Sequence, residues 1–146
     1  MISFEPLPAN LVFLRRHLAL NRIENCTVVN AAVSSTEGNA RFTTAGCRSM
    51  THLLADAEPE HGDIPVRVVT LDGMVGRGEI PPPTVIKCDT EGAEMSLLEG
   101  AEAVLRAHHP SILLDTHGRN TQSLLQVSDG PGLSPVSTGP SAVGGK

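Results

Sequence analysis

A mainly parallel α/β sheet of the doubly wound type is the fold class this chain predicts, and three observations carry it. Short apolar runs of strand character alternate with segments whose apolar residues recur at three- and four-residue steps. The run Val85-Ile-Lys-Cys88 leads into an acidic turn, Asp89-Thr-Glu-Gly-Ala-Glu94, and then into a helix-patterned stretch. The length of 146 residues, with 40% apolar content and a mean hydropathy of -0.01, suits one soluble domain with a real core.

The elements follow in order. Ile2 to Glu5 reads as a short strand and Pro6/Pro8 as a turn. A helix runs from about Pro8 to Leu20, with Leu11, Leu14 and Leu18 on one face and Asn21 as its left-handed cap. Cys26 to Val33 is β-rich, and Glu37-Gly38-Asn39 turns into a second strand around Ala40 to Thr43, predicting an edge hairpin. Thr44 to Asp63 lacks any period and reads as a long surface loop, either shaping a site or an insertion without function. Val66 to Leu71 alternates as a strand, followed by a short helical turn over Asp72 to Val75. Gly73, Gly76 and Gly78 lack the spacing of a phosphate loop and read as a flexible connector.

Pro81-Pro82-Pro83 cannot extend a central strand, so a buried strand starts near Thr84 and runs through Val85 to Cys88. Leu97, Leu98, Ala101, Val104 and Leu105 form the apolar stripe of one following helix, with Glu91 and Glu94 around its first turn. His109-Pro110 stops it, and Ser111 to Asp115 is the last buried strand. From Val127 the composition shifts to Gly, Pro, Ser and Thr, so residues 1–126 form the folded domain and 127–146 a disordered tail.

Composition narrows the functional classes. A net charge of -5 without any Lys/Arg run argues against nucleic acid as a partner. There is no Trp or Tyr for base stacking, and Phe4, Phe13 and Phe42 fall where core packing explains them. No segment is apolar enough for a membrane span, so no membrane partner is expected. Cys26, Cys47 and Cys88 are odd in number and widely spaced, suggesting neither disulfides nor zinc. The amino terminus has no basic leader, and the cytoplasm is the expected compartment.

In a doubly wound sheet, the carboxyl ends of the parallel strands share one edge, where ligands bind. Glu5, Asn30, Asp89 and Asp115 fall at such ends, with His117 two residues beyond the last. Glu5 suits a ribose diol, whose two hydroxyls match its two oxygens, or else caps the turn after it. Asn30 suits a base edge or a turn cap equally. Lys87 either snorkels from a half-exposed face or pairs with Asp89 or Glu91. His117 is a titratable imidazole able to take a hydroxyl proton, or a turn residue bonded to backbone. Asp89, Glu91 and Glu94 offer hard oxygen ligands, but the helix dipole already accounts for the two glutamates, so no metal is expected.

These residues together resemble a family. Phe4-Glu5-Pro6 with Pro8 and Asn10, Leu20-Asn21, Asn30-Ala31-Ala32-Val33 with Gly38, Thr70-Leu71-Asp72, and Ile86-Lys-Cys-Asp-Thr-Glu-Gly-Ala-Glu94 with Leu98 and Gly100-Ala101 match FkbM-type S-adenosylmethionine-dependent methyltransferases in order and spacing. The Lys-x-Asp-x-Glu-Gly-Ala-Glu segment is the specific part. The resemblance spans Ile2 to about His117 and implies a Rossmann-like class I methyltransferase fold. It also implies S-adenosylmethionine as cofactor and methylation of a hydroxyl on a sugar or other small molecule. By resemblance, Glu5 holds the cofactor ribose, Asn30 and Ala31 lie by the adenine, and Asp89 faces the methionine end. Glu91, Glu94 and His117 border the acceptor, with His117 the favoured base and Asp89 an orienting or cofactor-facing carboxylate. Asp115 stands where the family often has Glu.

The resemblance also implies an incomplete sheet. The family's first strand and its Gly-rich turn have no counterpart before Ile2, and the carboxyl-terminal strands after His117 are replaced by the Gly/Pro/Ser tail. The strands ending at Glu5 and Asp89 are then expected to pair directly, leave a gap or recruit another chain, and cofactor binding to be weak or absent. Two other readings stand beside methyl transfer. They are a metal-assisted hydrolase using Asp89, Glu91, Glu94 and His117, and a non-catalytic remnant that binds through unpaired sheet edges. Oligomeric state is open.

Overall fold

A computed structural model describes residues 1–42, 53–54, 64–90 and 93–114. The order is β1 (Ile2–Phe4), α1 (Pro8–Leu20), β2 (Thr27–Val29), β3 (Ala32–Val33), β4 (Gly38–Phe42), β5 (Leu53–Leu54), β6 (Ile64–Val69), α2 (Leu71–Gly76), β7 (Val85–Cys88), α3 (Glu94–Glu99), α4 (Glu102–His108) and β8 (Ser111–Leu114). The strands fall into three sheets among the described residues: β1-β2, β3-β6-β4-β5 and β7-β8. The β1-β2, β3-β6 and β7-β8 pairs are parallel, whereas β4 runs antiparallel to both β5 and β6. No ladder joins β1 to β7, so these two strands do not pair directly.

α1 begins at Pro8, whose missing N–H costs nothing in a first turn, and the Glu5 carboxylate accepts the Leu7 amide just ahead of it at 2.8 Å. The left-handed residue at its end is Arg22 (φ 54°), not Asn21 (φ -91°). Asn21 caps differently, donating through Nδ2 to the His17 carbonyl at 2.8 Å. Arg22 lets the Ile23 amide reach back to the Leu18 carbonyl at 2.9 Å, which is the backbone bond a left-handed exit makes possible.

The expected hairpin is not formed. β3 and β4 both pair with β6, which lies between them. Glu37, rather than closing a tight turn, is drawn beside β6 by the Thr70 hydroxyl at 3.3 Å and by two Arg77 bonds at 3.0 Å. Within the stretch read as an irregular loop, Leu53–Leu54 adds the edge strand β5; the rest of residues 43–63 lies outside the described residues. The tail at 127–146 lies outside them as well.

The β3-β6-β4 sheet separates two cores. Ala32, Ala40, Phe42, Val66 and Val68 cluster on one side. On the other, Ala31, Val69, Leu71 and Met74 join Ile86, Cys88, Leu97, Leu98, Leu105 and Leu114. Ile2, Phe4 and Val29 pack against this second cluster, so β1-β2 and β7-β8 share one core without sharing a ladder. Among the described residues only one face of β7 is covered. Ile86 and Cys88 are buried, but Val85 is 55% exposed and Lys87 is exposed, correcting the reading of β7 as a fully buried strand. α3 and α4 sit over its inner face, and no described element covers the outer one. Phe13 is likewise 62% exposed rather than in the core.

The single helix expected after β7 is two, and the break has a definite cause. α4 lacks a side-chain cap of its own. Asp72, on α2, supplies it, accepting the Ala103 and Val104 amides at 2.9 and 2.8 Å. The Asp72 amide in turn donates to the Gly100 carbonyl at 2.9 Å. Gly100 is the only residue that fits there, because a Cβ would lie 2.0 Å from the Ser34 carbonyl oxygen. Gly73 and Gly76, read as connector glycines, belong to α2, whose first turn the Thr70 hydroxyl caps by accepting the Gly73 amide at 3.0 Å.

Asp72→Ala is expected to lower unfolding stability by about 1 to 2 kcal/mol, and Asp72→Asn by less, in denaturant titration. Gly100→Ala should cost about 1 to 3 kcal/mol through forced backbone movement. The ion cluster gives a pH prediction. Hydrogen bonding to Arg77 holds the Glu37 and Glu79 carboxyls below the usual carboxylate range. A depressed folded value contributes stability that is present above the ordinary value and lost as pH falls through the folded one. The denaturation midpoint should therefore drop as the medium is acidified below that ordinary value, and Arg77→Ala should flatten this acid limb.

Candidate functional site

Two groups of strand-end residues stand on the shared core. The first is at β1-β2. The register pairs Phe4 with Val29, so Glu5 and Asn30 leave neighbouring parallel strands side by side, and the Glu5 amide donates to the Val29 carbonyl at 3.1 Å. Glu5 is half-buried with one carboxylate oxygen on the Leu7 amide. It thus caps its turn, which also fixes the carboxylate, and its remaining lone pairs are enough for two further donors. Asn30 is exposed, while Ala31 is fully buried with its amide turned back to the Val29 carbonyl at 3.1 Å. A backbone tucked in this way presents Asn30 to solvent beside Glu5.

The second group is at the β7–α3 turn. Asp89 is exposed and pairs with Lys87 at 3.2 Å, so the two-residue strand period places cation and carboxylate on one side of β7. Lys87 itself is 67% exposed in its side chain, so both readings of it hold together: it reaches outward and it meets Asp89. Glu94, by contrast, is only 1% exposed, the only charged residue among the buried ones described. The Thr90 hydroxyl donates to its Oε1 at 3.3 Å and lies 3.5 Å from the Cys88 sulfur. A buried carboxylate needs such donors, because an unbonded one costs several kcal/mol. The Cys88–Thr90–Glu94 chain therefore ties the last strand residue to the first residue of α3 and fixes the turn that carries Asp89 outward.

Thr90 is the residue that sequence reasoning passed over here. Its signal was a hydroxyl residue four positions ahead of Glu94 at a helix start. Glu91, Asp115 and His117 lie outside the described residues, so the structure brings Asp89 and Glu94 to one turn and gives no position for the other three. No group of three metal-ligating side chains occurs among the described residues. No helix among them is long and apolar enough to cross a membrane.

Burial pushes the Cys88 thiol above its ordinary value, against a smaller opposing effect of the Thr90 hydroxyl. A protonated, buried thiol is a poor nucleophile. Iodoacetamide applied to the native chain should label the half-buried Cys26 well before Cys88, with Cys88 caught up only after unfolding, as read by peptide mass mapping.

No curated protein matches the chain. Among solved structures, it resembles the crystal structure of the methyltransferase FkbM from Methylobacillus flagellatus KT, with a TM-score of 0.58 and 23% identity over 84% of this chain. The chain spans 27% of that protein's length. At that identity the likeness shows the fold, which is a mixed α/β arrangement of the methyltransferase kind. The family model for the methyltransferase FkbM domain matches residues 1–129, nearly the whole of the chain, which therefore belongs to the FkbM methyltransferase family.

Proposed function

We propose that this chain serves S-adenosylmethionine-dependent methylation of a hydroxyl on a sugar or other small molecule. The observation that carries the reading is the placement of Glu5 and Asn30 side by side at the carboxyl ends of parallel β1 and β2 in a chain of this family. A fixed carboxylate with spare lone pairs next to an exposed amide is the donor and acceptor set that a nucleoside asks for. In this reading Glu5 takes the ribose hydroxyls, Asn30 and Ala31 border the adenine, and Asp89 faces the methionine end. Glu91, Glu94 and His117 line the acceptor side.

When bound, the cofactor supplies an electrophilic methyl group on a sulfonium. The work left to the protein is alignment of the acceptor oxygen, exclusion of water and removal of one proton. His117 is the proposed base, and Asp89, held by Lys87 on a turn fixed through Thr90, is the orienting carboxylate. The reaction is set in the cytoplasm, with neither nucleic acid nor membrane as partner, in keeping with an acidic chain whose cysteines are few and scattered. Cofactor binding by this chain is expected to be weak.

Weak binding is best read residue by residue. Titrating the isotopically labelled chain with S-adenosylmethionine or adenosine should shift the backbone amide signals around Glu5, Asn30 and Ala31. Glu5→Gln should reduce the affinity roughly tenfold through the loss of a charged acceptor. Shifts confined to other regions, or equal binding by Glu5→Gln, would overturn the nucleoside site. With methyl-labelled cofactor, transfer to hydroxyl-bearing acceptors but not to amines is expected. The reverse preference would remove the O-methylation reading.

A further inference from the structure

α1 is apolar on two opposite stripes. Leu11, Leu14 and Leu18 face inward, with Leu11 4% exposed. At 100° per residue the opposite stripe is Ala9, Val12, Phe13 and Leu20, with Arg16 at its centre. Val12, Phe13 and Leu20 are 67%, 62% and 71% exposed, and Ile23 just beyond the helix is 40% exposed. A helix that is apolar on both sides belongs between two layers, yet only one is present among the described residues. The charge of this surface identifies what the second layer is. No carboxylate occurs between Glu5 and Glu24, while Arg15, Arg16 and Arg22 are all exposed, in a chain that is otherwise strongly acidic.

Arg16 decides the chemistry. Covering the stripe would desolvate its guanidinium, which is tolerable only opposite a carboxylate, preferably bidentate. A second copy of α1 offers no such group and would bring Arg16 against Arg16. We propose that the outer face of α1 is a docking surface for a helix of a partner protein with an apolar stripe and a carboxylate seated opposite Arg16. Phe13 and Leu20 are the apolar anchors, one turn to either side of the ion pair. This surface is independent of the methyl-transfer reading.

The test uses three synthetic helical peptides of about 20 residues, each with a leucine stripe and differing only at the central position, Glu, Gln or Lys. The full chain should bind the Glu peptide about tenfold more tightly than the Gln peptide, and the Lys peptide least. Arg16→Glu should reverse the order in favour of Lys, because specificity here is a matter of charge. Phe13→Asp should abolish binding of all three. Both positions are exposed, and unchanged circular dichroism and denaturation midpoints will show that the variants fold. Equal binding of the Glu and Lys peptides, no binding of any, or undiminished binding by Phe13→Asp would overturn the proposal. So would self-association in sedimentation that Phe13→Asp removes, or vesicle binding that Phe13 and Arg16 govern, since either names a different occupant.

Discussion

The carboxylate of Asp72 ties α2 to the start of α4, and much of the fold around the candidate site depends on that tie. Two amides at the start of α4 end on it, and its own amide ends on Gly100, between α3 and α4. Without those bonds the first turn of α4, where Ala103 is exposed and Val104 buried, would be an uncapped helix start. The consequence reaches the site. α3 and α4 contribute Leu97, Leu98, Leu105 and Ala101 to the cluster that includes Ile86 and Cys88 of β7, and the turn bearing Asp89 and Thr90 is suspended between β7 and α3. Asp72 thus helps set where α3 ends and α4 begins.

The turn itself reverses the usual division between outside and inside for acidic residues. Asp89 is out in solvent with Lys87, a pair that surface screening makes worth little energetically. Glu94, in the first turn of α3, is the one buried, and the Thr90 hydroxyl donates to it. Its role at this point is to anchor geometry. Thr90 can do what Val or Ala could not, because it donates to the carboxylate while its oxygen also faces the Cys88 thiol. A change at Thr90 would therefore act on Asp89 without touching it.

Much of this was legible in the sequence where a local period and a local stop coincide. Pro8 starts α1, the proline run precedes β7, and His109-Pro110 closes α4 with His109 in the left-handed region at φ 46°. The split between α3 and α4 was not legible, because the apolar period runs unbroken through Ala101, Val104 and Leu105. What breaks it is Asp72, nearly thirty residues upstream, together with the Ser34 carbonyl pressed on Gly100. The hairpin failed for the same reason: β6 outcompeted β3 as the partner of β4 through contacts remote in sequence. At the candidate site, Glu5, Asn30 and Asp89 were readable as strand ends from local pattern. The burial of Glu94 and the exposure of Phe13 were not, since a helix dipole and an apolar stripe say what is favourable at a position and not which elements cover it.

The two candidate groups are coupled in an unusual way for a parallel α/β fold. In a continuous sheet, successive ladders would fix the distance between the Glu5 end and the Asp89 end through backbone hydrogen bonds, which are short and directional. Here β1-β2 and β7-β8 share no ladder. Their relation rests on side chains: Ile2, Phe4 and Val29 on one part, and Ile86, Cys88 and Leu114 on the other, within a single cluster. Apolar packing resists separation but is far less specific about sliding than a ladder is. The edges of β1 and β7 away from β2 and β8 pair with no described strand, and an unpaired edge favours the addition of a further strand. A strand that paired with both would convert a relation set by packing into one set by hydrogen bonds. It would also fix the Glu5 end of β1 relative to the Asp89 end of β7 through directional backbone bonds.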